Sequence, residues 1–264
     1  MMKRFIFSIF LLPLLLASPQ TKAQGIMLTP KWTAQAQFTG YYVADKLGFY
    51  KEEGIDVCVQ HPAISESSFS FMEKGRAPVV IMNLSYAFME RLAGARVVNV
   101  MQTSQENSLM LISHSPLKGE ESLRNQKIAV WNHLSQKLLD RLAEHYALKQ
   151  VEWIRFNSGV NVFLSGAADP CLVGSYNEYL QLSEYGMNVD SIYSIRLADY
   201  GYNLPEDGLY VTEEFYNQYP EVVRKLVKAS MRGWAWANEH REEALDMVME
   251  EVKKGNIGTN RYHQ

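Results

Sequence analysis

The chain has 264 residues, which is long enough to bury a sizeable core in one large or two medium domains. Its formal charge is −3, 21% of its residues are charged, and no block of like charge stands out. This composition argues against a basic nucleic-acid-binding surface and against a charged tail.

The first 24 residues predict an export signal rather than part of the fold. Lys3 and Arg4 precede an apolar run at residues 5–16, and small and polar residues follow up to residue 24. The run is too short to span a bilayer comfortably, which favours a cleaved signal peptide over 1–24. We therefore expect a mature protein in an exported compartment. No later segment is apolar enough to cross a membrane.

The next stretch predicts one strand–helix–strand unit. Residues 26–28 form an apolar run that suits a buried strand, residues 38–47 follow helical spacing up to Gly48, and alternation from Ile55 predicts a second strand. Such a unit implies a parallel sheet with right-handed crossovers. Because ligands bind outside the carboxyl ends of such strands, the loop at 32–38 predicts one side of a binding cleft.

Strands and helices alternate through the rest of the chain in two blocks. Turn-rich segments at 114–119 and 199–207 separate the blocks, and we interpret them as paired linkers. One lobe then combines residues 25–112 and 206–264, and the other comprises residues 113–205. We expect an α/β fold with two lobes, each a mostly parallel sheet flanked by helices.

Cys58 and Cys171, the two cysteines, are predicted to be separate buried thiols. Export would permit a disulfide. However, the two residues fall in different predicted strands and in different lobes. A free cysteine behaves readily as a small apolar residue, so no pairing is needed to explain either one.

The usual sequence signs of catalysis are missing. The six histidines show no metal-ligand spacing, and the chain contains no HExxH, paired CxxC, GxSxG or GxGxxG motif. A triad assembled only in space would leave no such signal. We predict no metal, no cofactor and no enzymatic activity.

Candidate ligand-binding residues lie at predicted strand-to-helix junctions, where backbone donors are exposed. An indole can stack on a flat ring, and amides can form hydrogen bonds with it. The structural alternatives are core packing for the aromatic residues and helix capping for the polar ones. The predicted set is Trp32, Gln35, Gln37, Tyr41, Asn83, Ser85, Trp131, Asn132, Asn157, Ser158, Tyr176, Asn177 and Glu178. Of these, Trp131 and Asn132 precede a helix predicted at 135–147.

Trp32 and Glu178 are predicted to face each other across the cleft. Trp32 ends the first strand of one lobe, and Glu178 begins a helix in the other. The Glu178 carboxylate could accept two hydrogen bonds from neighbouring N–H groups of a flat ring, or could simply stabilise the helix start. We expect both residues to serve binding and neither to support the core.

Trp32, residues 40–44 (GYYVA) and residues 48–57 (GFYKEEGIDV) resemble a known family. They are similar to periplasmic solute-binding proteins of the thiamine-pyrimidine group, which are close to the alkanesulfonate and nitrate/taurine group. The resemblance implies the two-lobed periplasmic-binding-protein fold of type II. It also implies a monomer that binds a small molecule, such as a pyrimidine-type thiamine precursor, and delivers it to the permease subunits of an ABC importer.

The sequence departs from this family at several positions. The fungal relatives that synthesise the pyrimidine use a Lys and a His where Met82 and Tyr86 stand here, and their cysteine cluster is absent from residues 202–207. Phe38 replaces a His found in many pyrimidine-binding members. These differences disfavour synthase activity.

A second alternative is the exported sensing domain of a longer receptor with a kinase module. The family continues with further helices after the position of Gln264, so we expect this sequence to be part of a longer chain.

Overall fold

A computed structural model describes most of the chain after the predicted export signal. The signal at 1–24, most of the helix predicted at 135–147, and the candidate residues Asn132 and Ser158 lie outside the described residues. In the part that is described, no helix has both the length and the apolar character to cross a membrane. The described residues are 25–63, 65–117, 120–131, 140, 143–144, 150–157 and 159–264.

The first sheet has the strand order β2-β1-β3-β10-β4. Strand β1 is parallel to β2 and β3, whereas β10 is antiparallel to both β3 and β4. The carboxyl ends of β1, β3 and β4 therefore lie at the same edge as the start of β10. The strands are β1 (Ile26–Thr29), β2 (Val57–Val59), β3 (Val79–Asn83), β4 (Val97–Gln102) and β10 (Asp207–Thr212).

The second sheet repeats this plan, with the order β7-β6-β8-β5-β9. Strand β6 is parallel to β7 and β8, and β5 is antiparallel to β8 and β9. Four of the five strands in each sheet thus run in one direction, and one strand is reversed. The strands are β5 (Leu109–Ser113), β6 (Lys127–Trp131), β7 (Glu152–Phe156), β8 (Cys171–Gly174) and β9 (Tyr193–Arg196).

Helices flank both sheets, and capping residues mark where several of them begin or end. Gly48 adopts a left-handed conformation (φ 75°) two residues after the last residue of α1, as its sequence position predicts. The side chain of Thr212 accepts a hydrogen bond from Phe215 N at the start of α7. The α-helices are α1 (Thr39–Lys46), α2 (Phe49–Glu52), α3 (Ser68–Glu73), α4 (Leu84–Leu92), α5 (Asn161–Leu164), α6 (Glu178–Glu184), α7 (Glu213–Gln218), α8 (Pro220–Glu239) and α9 (Arg241–Lys254).

Strand β5 belongs to the second sheet, which contradicts the predicted boundary at residue 112. Its residues Leu109–Ser113 pair with β8 and β9. The chain therefore crosses between the sheets at residues 103–108 rather than at 114–119, and it returns to the first sheet at Asp207. A short apolar strand suits the interior of either sheet, so its apolar pattern does not reveal its partner.

The two cysteines are free and lie in different sheets, as predicted. Cys171 is buried in β8, but Cys58 is exposed. The prediction that both thiols are buried is therefore wrong for Cys58. The reason is that β2 is an edge strand, and Cys58 lies on the side of it that faces solvent.

Candidate ligand-binding site

A largely buried ion pair occupies the edge where β1, β3 and β10 meet. The Lys31 ammonium forms an ion pair with the Asp207 carboxylate and donates a hydrogen bond to Asn83 Oδ1 at 2.7 Å. Gln37 Nε2 donates to the other oxygen of Asp207 at 3.1 Å. Asp207 is only 4% exposed. The sheet order brings these side chains together, because their three strands are neighbours.

The surroundings of Lys31 keep it charged. Burial alone would lower the pKa of its ammonium. The carboxylates of Asp207 and Glu206 lie close enough to outweigh that effect, so the pKa of Lys31 is raised above its ordinary value. Lys31 therefore neutralises Asp207 throughout the physiological pH range.

A cavity of about 520 Å³ opens beside this ion pair. We call each sheet with its flanking helices a unit, and the stretches 103–108 and 197–206, which connect the two sheets, the crossing segments. Both units contribute to the cavity. Tyr176 follows β8 of the second unit, and the other walls come from the first unit and the crossing segments. Its volume falls within the range of small-molecule sites. The lining residues are Ala36, Gln37, Met101, Gln102, Thr103, Ser104, Tyr176, Glu206, Asp207, Met231 and Trp234.

Hydrogen bonds tie the two crossing segments together beside the cavity. Gln102 Nε2 donates to the backbone carbonyls of Glu206 and Asp207 at 3.2 and 2.9 Å. The backbone N–H and the hydroxyl of Ser108 donate to the Glu206 carboxylate at 3.0 and 2.8 Å. The covalent connection between the two sheets is therefore braced at the point where a hinge would bend.

The segment at residues 259–264 provides a second connection between the two units. Ala36 N, in the loop after β1, donates to Gln264 Oε1 at 2.7 Å. The ring nitrogens of His263 lie 2.7 Å from Glu184 Oε1 and 2.8 Å from Asn177 Oδ1, both in the second unit. Because Ala36 lines the cavity, this segment contacts one of the lining residues.

Two of the predicted ligand-binding residues, Gln37 and Tyr176, line the cavity. Asn83 is not among the lining residues, and its side-chain oxygen accepts a hydrogen bond from Lys31. Tyr41 is buried in the core of the first unit, and its ring meets that of Trp234 edge-on at 5.8 Å. Tyr41 therefore supports an aromatic wall of the cavity rather than forming one.

Trp32, Gln35 and Ser85 are not among the cavity-lining residues in the described part of the chain. Trp32 packs against the first core, and its carbonyl lies 2.5 Å from His61 Nδ1. Gln35 uses its carbonyl to accept from Phe38 N, and Ser85 is part of α4.

Glu178 has a structural role, which contradicts the expectation that it supports no part of the core. Its carboxylate accepts from Trp131 Nε1 and Gly174 N, each at 3.1 Å, and from Asn177 Nδ2 at 3.3 Å. Burial raises the pKa of Glu178, and these hydrogen bonds oppose that shift. Glu178 thus joins β6, β8 and α6 within the second unit.

The remaining predicted residues of the second unit do not line the cavity in the described structure. Trp131 is buried and donates to Glu178, and Asn157 is exposed just after β7. Asn177 is bound by His263.

Several cavity residues carry no binding signal in the sequence. Asp207 ends the segment that reads as a linker, and the sequence does not indicate that β10 is reversed. That reversal puts the start of β10, not its end, at the ligand-binding edge. Trp234 lies on α8, where its spacing fits ordinary core packing.

Comparison with known proteins finds relatives along most of the chain. The family model described as NMT1/THI5 like matches residues 35–244. The riboflavin-binding protein RibY of Chloroflexus aurantiacus is 28% identical over 90% of this chain and 70% of its own length. The formylaminopyrimidine-binding protein of Halalkalibacterium halodurans is 24% identical over 97% of this chain and 82% of its own.

A third relative is named as an enzyme. The 4-amino-5-hydroxymethyl-2-methylpyrimidine phosphate synthase THI13 of Saccharomyces cerevisiae is 22% identical over 75% of this chain and 62% of its own. Among solved structures, the periplasmic aliphatic sulphonate binding protein SsuA of Escherichia coli matches with a TM-score of 0.68 at 13% identity, covering 91% of this chain and 81% of that one. This likeness confirms the predicted two-lobed α/β fold of periplasmic binding proteins.

Proposed function

This chain belongs to the NMT1/THI5-like family and has the fold of periplasmic substrate-binding proteins, and from these premises we propose that it is the binding component of an ABC importer. It is exported to the periplasm and holds a small molecule between its two units. The permease subunits then bind the ligand-loaded form.

The observation that carries this proposal is the cavity shared by both units. Gln37, Asp207 and Trp234 approach it from the first unit, and Tyr176 approaches it from the second. A ligand that contacts both sides stabilises the closed arrangement more than the open one, which shifts the population towards closure. Closure of this kind gives a permease a way to distinguish loaded protein from empty protein.

The ligand that we propose contains a flat nitrogen heterocycle, such as a pyrimidine-type thiamine precursor. Two relatives are named for binding riboflavin and a formylaminopyrimidine, and both molecules contain such a ring. Trp234 and Tyr176 offer aromatic surface to a ring, and the Gln37 amide offers hydrogen bonds.

We propose binding without catalysis. The synthase THI13 matches this chain over only 62% of its own length. The positions at which the fungal synthases carry a Lys and a His are occupied here by Met82, which is buried in β3, and Tyr86. Neither side chain can act as a general base near neutral pH.

Native mass spectrometry of protein purified without denaturation tests the binding role. We expect a co-purified small molecule that is lost on denaturation, and calorimetry should show that it binds the dialysed protein again. Tyr176→Ala should weaken this binding about tenfold, because it removes an aromatic wall. Tyr185→Ala, at an exposed tyrosine of the same unit, should leave it unchanged. Equal affinity in both variants would place the ligand elsewhere.

The transport role is tested by the genes beside this one. A neighbouring permease and ATPase would support import. A receptor kinase continuous with this chain would overturn it in favour of sensing.

A further inference from the structure

We propose that Asp207 makes the cavity selective for ligands that present N–H groups or a positive charge, and that the cavity excludes anions such as sulfonates. This inference rests on the proposed function, because it assigns a ligand class to the same cavity.

The first argument is the charge of the cavity wall. Within the described residues, the lining contains the carboxylates of Glu206 and Asp207 and no Lys, Arg or His side chain. Lys31 forms an ion pair with Asp207 and is not part of the lining. An anion entering the cavity would lose its hydration beside two carboxylates, of which Lys31 neutralises only one, and it would gain no cation from the lining, which is unfavourable.

The second argument is the acceptor capacity that remains on Asp207. A carboxylate offers about four acceptor positions. Lys31 and Gln37 use one position on each oxygen of Asp207. Oδ1 is fully buried, so the remaining lone pair of Oδ2, the oxygen that Gln37 contacts, is the one that can accept from an amine or amidine. Hydrogen bonds to an ionised carboxylate are stronger than those to a neutral acceptor.

Glu206 contributes negative charge but is less able to bind the ligand directly. Both of its carboxylate oxygens lie within 2.9 Å of the Ser108 hydroxyl, and one of them also accepts from Ser108 N. The Glu206 carboxylate therefore holds the crossing segments together through Ser108. Asp207 is the group that selects the ligand.

This arrangement separates the chain from a structural neighbour with a different ligand. SsuA of Escherichia coli is named for binding aliphatic sulphonates and shares the fold at 13% identity. A fold shared at that level does not transfer the ligand. The acidic lining described here favours the opposite charge.

Three small probes test the proposal on the dialysed wild-type protein by calorimetry. They are 4-aminopyrimidine, benzamidine and benzenesulfonate, which are flat rings with a neutral donor, a positive charge and a negative charge. We expect the first two to bind at least tenfold more tightly than benzenesulfonate. Sulfonate binding that is equal or tighter would overturn the inference and leave the proposed function standing.

Native mass spectrometry resolves the case in which no probe binds. A co-purified molecule with donors or positive charge supports the inference, and a co-purified anion overturns it. Absence of both a co-purified molecule and probe binding overturns the proposed function, and the inference with it.

Variants at the ion pair give a second, independent readout. Asp207→Asn leaves the Lys31 charge without its partner, so benzamidine should bind at least tenfold more weakly and benzenesulfonate at least tenfold more tightly. The double variant Lys31→Met, Asp207→Asn removes both charges, so it should lose the preference for benzamidine without binding benzenesulfonate more tightly than the wild type does. Asp190→Asn, at an exposed carboxylate of the second unit, should match the wild type.

Unchanged preference in a folded Asp207→Asn protein would refute the role of Asp207. If that variant does not fold, the double variant decides, since loss of the preference for benzamidine supports the role and its retention refutes it.

Discussion

Replacing Glu178 with alanine should destabilise the second unit rather than merely weaken binding. Glu178 is 5% exposed, and its carboxylate accepts from the indole N–H of Trp131 and the backbone N–H of Gly174, each at 3.1 Å. Removing an acceptor from a buried donor costs about 1–3 kcal/mol. Burial raises the pKa of Glu178, which means that burying its charge is itself unfavourable and offsets part of this loss. We therefore expect a net loss of about 2–4 kcal/mol in the free energy of unfolding.

Urea unfolding followed by circular dichroism measures this loss as a lower midpoint with an unchanged slope. Glu178→Gln retains one acceptor and should lose about half as much. Glu152→Ala removes an exposed carboxylate of the same sheet and should change the free energy by less than about 1 kcal/mol. A fully stable Glu178→Ala protein with reduced ligand affinity would refute the structural role and restore the sequence-based prediction that Glu178 serves binding alone.

Three further measurements probe packing, pH dependence and thiol accessibility. Gly233→Ala would place a Cβ atom 2.0 Å from a backbone carbonyl oxygen of α1, so we expect a loss of about 1–3 kcal/mol in urea unfolding. Ala235→Gly, at an exposed position of the same helix, measures helix propensity alone and should lose about 1 kcal/mol. Propensity alone would make Gly233→Ala more stable, so unchanged or higher stability of that variant would contradict the clash. Burial lowers the pKa of His61, so the unfolded chain binds its proton more readily and stability should fall as the pH drops below the ordinary value of 6.5. His61→Gln should flatten this dependence in unfolding measured from pH 7.5 to 5, and an identical slope in the variant would show that other groups cause it. Maleimide should label the exposed Cys58 in the native protein. It should label Cys171 only after unfolding, because burial shields this thiol and raises its pKa to about 12. A disulfide-linked peptide pair would contradict the finding that both thiols are free.

The sequence determines those features that depend on neighbouring residues. The helix between Thr39 and Lys46 and its left-handed end at Gly48 follow from apolar spacing and from the conformational freedom of glycine. The alternation of strands and helices likewise predicts two α/β units, and the pattern GFYKEEGIDV at residues 48–57 predicts the family.

Pairing between distant strands is decided only by the tertiary structure. The apolar residues of β5 would suit the interior of either sheet, and the structure pairs this strand with β8 and β9. The reversed strand β10 is a similar case, since its direction puts Asp207 beside Lys31 at the edge of the cavity. Periodicity reports which residues of a strand are buried, but it contains no term for the partner strand or its direction.

The same limit explains the candidate site. Gln37 and Tyr176 could be named because they follow predicted strands, where parallel sheets bind ligands. Glu178 follows a strand as well, yet its carboxylate is turned into the second unit by donors from Trp131 and Gly174. Whether a polar side chain meets the ligand or the protein depends on donors that are distant along the chain, and only the folded structure brings those groups together.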